Sequence, residues 1–427
     1  MGRGLTVSTT TAAGGPLDTE GATPAVPPQA PRPRWTRGDT LRTALSGMVL
    51  VALLVGAWVL NGIPGTAADA GFSLLIGAAL GIAFERGRFC FFCIFRDAIE
   101  DKDTTGVFSV LVALAVGGLG YAVVFGMFLP DPTTGRLPPE AHIGPVSWVL
   151  VAGGLAFGVG MTLSGACISG HLYRLGQGYT RAVPALLGAL VGFGLGFFTW
   201  NTLYFAGVSG APTPWLPTWF GYSGAVLVQL AVLLVIGALL LRWARPHRTA
   251  PLGGGTITWA HVRRVVLLDR WGPLTTGAVV GVIGVIAYLR VEPLGVTAQL
   301  GTWTRTALAD TDLLPDRLHG LDTLSGCATV VTRVVLDNGW LILGLVLASF
   351  AAALAGNRFR PSPITVRNGS TALLGGVLMG WGAMVALGCT VGVLLSGIQA
   401  FAVSGWVFAA TVLAGTWVSI RFGLHRS

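Results

Sequence analysis

The residues with the most chemistry to offer are the cysteines, five in a chain of 427 residues. Cys167 and Cys389 sit in one frame, G-x3-G-x-G-x6-C-x2-G. One copy runs through Gly154, Gly158, Gly160, Cys167 and Gly170, the other through Gly376, Gly380, Gly382, Cys389 and Gly392. The stretch around Cys90 keeps Gly77 and Gly81 at the same offsets, with Ala83 in the third glycine position and Cys93 in the last. Around Cys327 only Gly320 holds its place. This is an internal repeat with a thiol at one fixed offset. A lone cysteine in an apolar helix usually acts as a small buried hydrophobe, but three at one repeat offset point to a shared role. Cys90 and Cys93 also form a CxxC pair, which could be a redox couple or half of a metal site. No second CxxC and no histidine cluster accompanies it, so no metal or cofactor is expected.

The frame carries its own physics. Small residues at i and i+4 let a short helix approach its neighbours closely. A Gly-Ala-Cys or Gly-Cys break then ends the helix partway across a membrane, where irregular backbone survives only inside protein or along a cavity. The next half-helix begins at the break, so its amides and positive dipole end point inward. Several such breaks would form an uncharged, electropositive site lined by thiols, which favours polyatomic anions. A thiol in an apolar site stays neutral and is a weak donor, so it does not repel an anion. Weak successive contacts allow both entry and departure.

The elements that position these breaks follow from composition. The chain is 53% hydrophobic and 11% charged, against roughly 25% charged residues in a soluble domain. It also holds 63 glycines without a collagen period. Such a chain is an all-α polytopic membrane protein with internal repeats and half-membrane, re-entrant helix pairs. The net charge of +9 rests on 27 basic residues, all arginine except Lys102, gathered between apolar runs. That is the positive-inside pattern of a membrane protein in its bilayer, and no nucleic-acid partner is expected. Residues 1–42, rich in Pro, Ala, Thr and Gly, are expected to be a disordered cytoplasmic tail without a signal peptide. Residues 43–241 form a first membrane half, 242–271 a basic cytoplasmic loop, and 272–427 a second half. Full crossings are expected near 45–61, 106–129, 181–206, 222–241, 272–290, 339–355 and 404–420. Seven crossings would leave the carboxy terminus outside, against the rule that its arginines suggest, and would bring the Cys90 and Cys167 units in from opposite faces.

Three longer motifs carry a resemblance. ERGRFCFFCIFRD (85–97), GVGMTLSGACISGHLYRLGQG (158–178) and GVLMGWGAMVALGCTVGVLLSGI (376–398) resemble, in order, those of the YeeE/YedE family of sulfur-transport proteins. The resemblance implies an hourglass of broken helices in the cell (inner or plasma) membrane, with no enzymatic step, that takes up an inorganic sulfur anion, thiosulfate in the best-understood members. Cys90, Cys167 and Cys389 match the family's relay cysteines. Cys327, Tyr173, Arg88, Arg96 and Arg174 are further candidates for the path, and the match around Cys327 is poor. No sulfurtransferase domain is expected to be fused, so that partner would be a separate cytoplasmic protein. Transport of a selenium species and a membrane thiol redox protein using Cys90 and Cys93 stay open as alternatives, although no paired span histidines suit a haem. Arg86, Arg88, Arg96, Arg174 and Arg181 can serve as interfacial anchors or as a vestibule that attracts anions. Asp97 is expected to pair with a neighbouring arginine, and His171 to be a helix-end polar residue.

Overall fold

The computed structural model describes residues 37–63, 67, 69–244, 269–309, 311, 313–315, 317–321 and 330–426. Cys327, most of the expected tail and most of the basic loop lie outside the described residues. Among the described residues every regular element is helical, and one isolated bridge joins Trp215 to Ala402. The helices are α1 (Arg37–Leu60), α2 (Ala70–Gly87), α3 (Phe91–Glu100), α4 (Thr105–Phe128), α5 (Trp148–Ser164), α6 (Ile168–Gly176) and α7 (Ala182–Leu203). They continue with α8 (Leu216–Trp243), α9 (Pro273–Arg290), α10 (Ala298–Ala309), α11 (Asp337–Ala355), α12 (Val366–Val385) and α13 (Val403–Arg421). Between α12 and α13 a short return is π-helical over Thr390–Ser396 and α-helical over Gly397–Gln399. Helix α1 begins at Arg37, so it takes in residues 37–42 of the segment expected as a tail.

Among the described residues eight helices are long and apolar enough to cross a bilayer, as a multi-pass membrane protein requires. Exposed apolar side chains on the outermost helices, such as Leu54 and Trp58 on α1 and Leu234 and Leu241 on α8, suit contact with acyl chains rather than water. Inside, the helices meet at glycines. Gly77 and Gly81 on α2 face Leu341 and Leu345 on α11, and Gly277 and Gly281 on α9 face Ser109 and Ala113 on α4. Gly188 and Gly192 on α7 face Leu373 and Val377 on α12, and Gly154 and Gly158 on α5 face Thr411 and Val412 on α13. In each pair the numbers rise together, so the helices run parallel. A Cβ at these glycines would enter the neighbour's backbone or side chains, which is why close approach selects glycine there.

These pairs relate two copies of one unit. The sequence α2–α3–α4–α5–α6–α7 matches α9–α10–α11–α12–return–α13, with each parallel pair joining one helix from each copy. The equivalent helices α5 and α12 run antiparallel, because Gly160 packs on Gly375 while Gly153 packs on Gly382. The repeat is therefore inverted, with its two-fold axis in the plane of the membrane. Helices α1 and α8 stand outside it.

Inversion corrects what the seven expected crossings implied. The breaks after α2 and α5 open toward the same face, because both helices run in the same direction, and they do not enter from opposite sides. Each of α2, α5 and α12 stops at a break followed by a short return, as the half-membrane pairs of the sequence reading expect, and each also runs beside a crossing helix, so the seven expected crossings become an even number. Both ends of the described chain then lie on one face, where Arg42 donates to Asn357 at 2.5 Å and His425 pairs with Glu100 at 3.0 Å. Among the described residues a further broken pair is α9–α10, interrupted at residues 291–297, which hold no cysteine. On the face with the termini, Arg358 donates to buried Glu85 at 2.6 Å and 3.0 Å and Arg86 lies beside it. Removing one partner of such a buried pair costs about 3–5 kcal/mol. Reporter domains fused before Arg37 and after Arg421 are predicted to report the same side of the membrane; opposite sides would contradict the even count.

Candidate functional site

In the half of the molecule nearer the termini, two breaks meet. Helix α2 ends with Arg88 in the left-handed region (φ 52), and the chain turns so that Cys90, in extended conformation, starts α3. Helix α5 ends at Gly165, whose φ of +85 suits glycine, and its amide closes back on Met161. Cys167 then starts α6, and its Sγ accepts from the Gly170 amide at 3.3 Å and lies 3.3 Å from Ser169 Oγ. A Cβ on Gly170 would stand 2.8 Å from Cys90 Sγ and 3.3 Å from Cys167 Sγ, so this glycine makes room for two thiols. Cys90 and Cys167 thus face each other at Gly170, and Cys93 follows on α3, three positions after Cys90. The result is a cluster of three thiols between two returning helices.

Arg174 closes the cluster on the side toward the face with the termini. Its Nη2 donates to Cys93 Sγ at 2.8 Å, its Nη1 to the Gly165 carbonyl at 3.4 Å, and its Nε to Tyr173 Oη at 3.4 Å. The guanidinium also lies over the Tyr179 ring at 5.6 Å. Tyr173 packs edge-on against Phe84, which stacks on Phe89, so an aromatic wall backs the thiols. From Cys93 a cavity of about 170 Å³ opens, lined among others by Arg88, Arg174, Asp97 and Trp271. Arg96 turns away to Asp97 at 2.7 Å and over the Phe92 ring, which gives Asp97 its arginine partner. Of the candidate arginines, Arg88 and Arg174 line the cavity and Arg96 does not.

Cys389 belongs to the other half. It starts the return after α12, fully buried, behind Leu387 and Gly388, which both have positive φ. Because α5 and α12 cross antiparallel, the Cys167 and Cys389 breaks lie on opposite sides of the crossing, each ~11 Å along its own helix. The thiols thus form two stations at different depths. Near Cys389, the ring of His142 stands over Gly392, where a Cβ would meet its Cε1 and Nε2 at 3.3 Å. The gap there is narrow, about 10 Å³ between His142, Leu387, Val393, Ser404 and their neighbours, room for one water.

Two residues escaped sequence reasoning. Cys93 occupies the offset where the other copies hold glycine, which reads as a place chosen for smallness, yet its thiol is on the cavity wall. His142 sits in a polar connection between spans, with no local pattern to mark it. The only clue to it was the glycine frame itself, since Gly392 leaves room for a neighbour. His171, expected at a helix end, is instead fully buried, stacks on Tyr179 at 6.4 Å, and has no hydrogen-bond partner for either ring nitrogen among the described residues. No group of three or more His, Cys, Asp or Glu among the described residues is arranged to hold a metal. A short homobifunctional methanethiosulfonate is predicted to join the peptide bearing Cys90 and Cys93 to that bearing Cys167, leaving Cys389 singly modified. A Cys167–Cys389 link, read by mass spectrometry, would contradict the two-station arrangement.

Comparison with known proteins agrees with this geometry. Residues 86–418 match the family described as sulphur transport. The chain is 31% identical over 356 residues to the thiosulfate transporter TsuA of Spirochaeta thermophila, covering 81% of this chain and 96% of the relative. It is 27% identical over 372 residues to the thiosulfate transporter TsuA of Escherichia coli, covering 81% of this chain and 92% of that protein. A shorter match, 28% over 187 residues, reaches 42% of this chain and 43% of the probable transporter YedE of Escherichia coli. With a family match across most of the chain and inverted, broken helices around buried thiols, the protein belongs to the YeeE/YedE family of sulfur-transport membrane proteins.

Proposed function

We propose that the protein takes up thiosulfate across the cell membrane, passing it from the Cys389 station to the Cys90–Cys167 station by hydrogen bonds from neutral thiols. The observation that carries this reading is the pair of thiols facing each other across Gly170, beside a cavity that ends on an arginine. Thiosulfate has a soft terminal sulfur that accepts an S–H hydrogen bond, and a thiol is too weak a donor to trap it. Arg88, Arg174, Arg181, Arg358, Arg360, Arg367 and Arg421 gather toward the face with the termini. The positive-inside rule makes that face cytoplasmic. The anion then moves from the narrow His142 side toward the open cavity, and Arg174 supplies attraction at its inner end. The similar proteins named as thiosulfate transporters support the choice of ion. A separate cytoplasmic sulfurtransferase is a fitting consumer of the delivered ion.

A second reading has one observation in its favour: Cys90 and Cys93 are buried free thiols at the start of one helix with the CxxC spacing that a redox pair would need. One experiment separates the two. Uptake of 35S-labelled thiosulfate is measured in cells lacking other sulfur importers, for wild type, Cys90→Ser, Cys167→Ser, Cys389→Ser and Cys93→Ala. Each serine variant is predicted to lose at least about tenfold in uptake, the effect of one lost 1.4 kcal/mol contact, with normal membrane abundance. Cys93→Ala is predicted to lose less, because Arg174 remains. Equal loss in the Cys90 and Cys93 variants, together with sensitivity of the wild type to reductant, would favour the redox reading.

A further inference from the structure

The inverted repeat invites a comparison that the cysteines alone do not. Gly170 and Gly392 occupy equivalent places on the two returns. Over Gly170 stands the thiol of Cys90; over Gly392 stands the imidazole of His142, 3.3 Å from where a Cβ would be. The inner return therefore carries a second thiol over its glycine beside Cys167, and the outer return, which Cys389 begins, carries a histidine over its glycine. We infer that His142 is a substrate-binding residue of the outer neck, donating a hydrogen bond to the oxygens of a sulfur oxyanion before it reaches Cys389. This inference rests on the transporter reading.

His142 is built as a binding group rather than as packing. It is only 7% exposed, yet Nδ1 has no hydrogen-bond partner among the described residues. A buried imidazole left so is costly unless something else occupies the site. The ring lines the narrow cavity together with Ser147 and Ser404, the latter accepting from the Gly144 amide at 3.2 Å. The segment that carries the ring is fixed, since Tyr288 donates to the Pro139 carbonyl at 2.7 Å and the Gly144 amide is held by Ser404. Chemistry then distinguishes the stations. An imidazole N–H is a stronger donor to oxygen than a thiol, and a thiol suits a soft sulfur. An ion with oxygens on one sulfur and a bare sulfur at the other end meets both kinds of group. His142 thus selects anions that carry oxygen on sulfur over bare sulfide.

The test compares concentration-dependent uptake of thiosulfate by wild type, His142→Leu and His142→Gln in proteoliposomes, with thermal unfolding measured on each. Thiosulfate titration of the purified proteins, followed by calorimetry, runs in parallel. His142→Leu is expected to raise KM about tenfold with Vmax within about twofold, and His142→Gln, which keeps a donor, to recover most of the loss. Calorimetric affinity should fall in the same order while unfolding temperatures stay level. Unchanged KM and affinity in His142→Leu would overturn the inference. Equal loss in both variants with lowered unfolding temperatures would do so too, by making the ring a packing element. Wild-type protein that binds thiosulfate but does not carry it would sink the transporter reading alone, and the calorimetric order would still decide the role of His142.

Discussion

The architecture depends on one contact: the antiparallel crossing of α5 and α12 at Gly160–Gly375 and Gly153–Gly382, where backbone meets backbone. Any side chain at these positions would push the helices apart, and with them the two returns that each helix feeds. Van der Waals contact at glycine is what holds helices together in a medium as apolar as their own surfaces. Because the partners are equivalent members of an inverted repeat, the same contact that joins the halves also separates their breaks. It fixes one station on each side of the crossing. The hourglass is a consequence of where two pairs of glycines are placed.

The separation has a chemical consequence. An ion held by several donors at one point would be held too well, whereas two weaker stations let it enter and leave. Charge enters at the inner end, where Arg174 ties Cys93, Tyr173 and the Gly165 carbonyl together. The narrow gap at His142 and the wider cavity at Cys93 give the molecule a closed side and an open side.

Much of this was legible in the sequence, for a definite reason. The frame around Cys167 and Cys389 encodes local geometry, namely small residues for close approach, a break, and a thiol at the start of the next helix. Helical periodicity and glycine spacing survive without knowledge of the partner. What stayed hidden is relative direction. Residues 70–87 and 148–164 end in breaks, which marks them as members of broken pairs but does not say which face each break opens toward. The role of Cys93 was obscured because its offset means smallness in the other copies, and only Arg174, 81 positions away in the chain, reveals the thiol. His142 reaches Gly392 from a connection with no periodicity at all.

The central claim is that soft sulfur is recognised by thiols at two depths. The most direct measurement is competition in proteoliposomes of the purified protein carrying labelled thiosulfate against unlabelled anions. The account predicts that anions with a terminal bare sulfur compete well and that sulfate, with oxygens alone, competes poorly. Sulfate competing as well as thiosulfate would show that the path reads charge and shape, and that the thiols merely fill space.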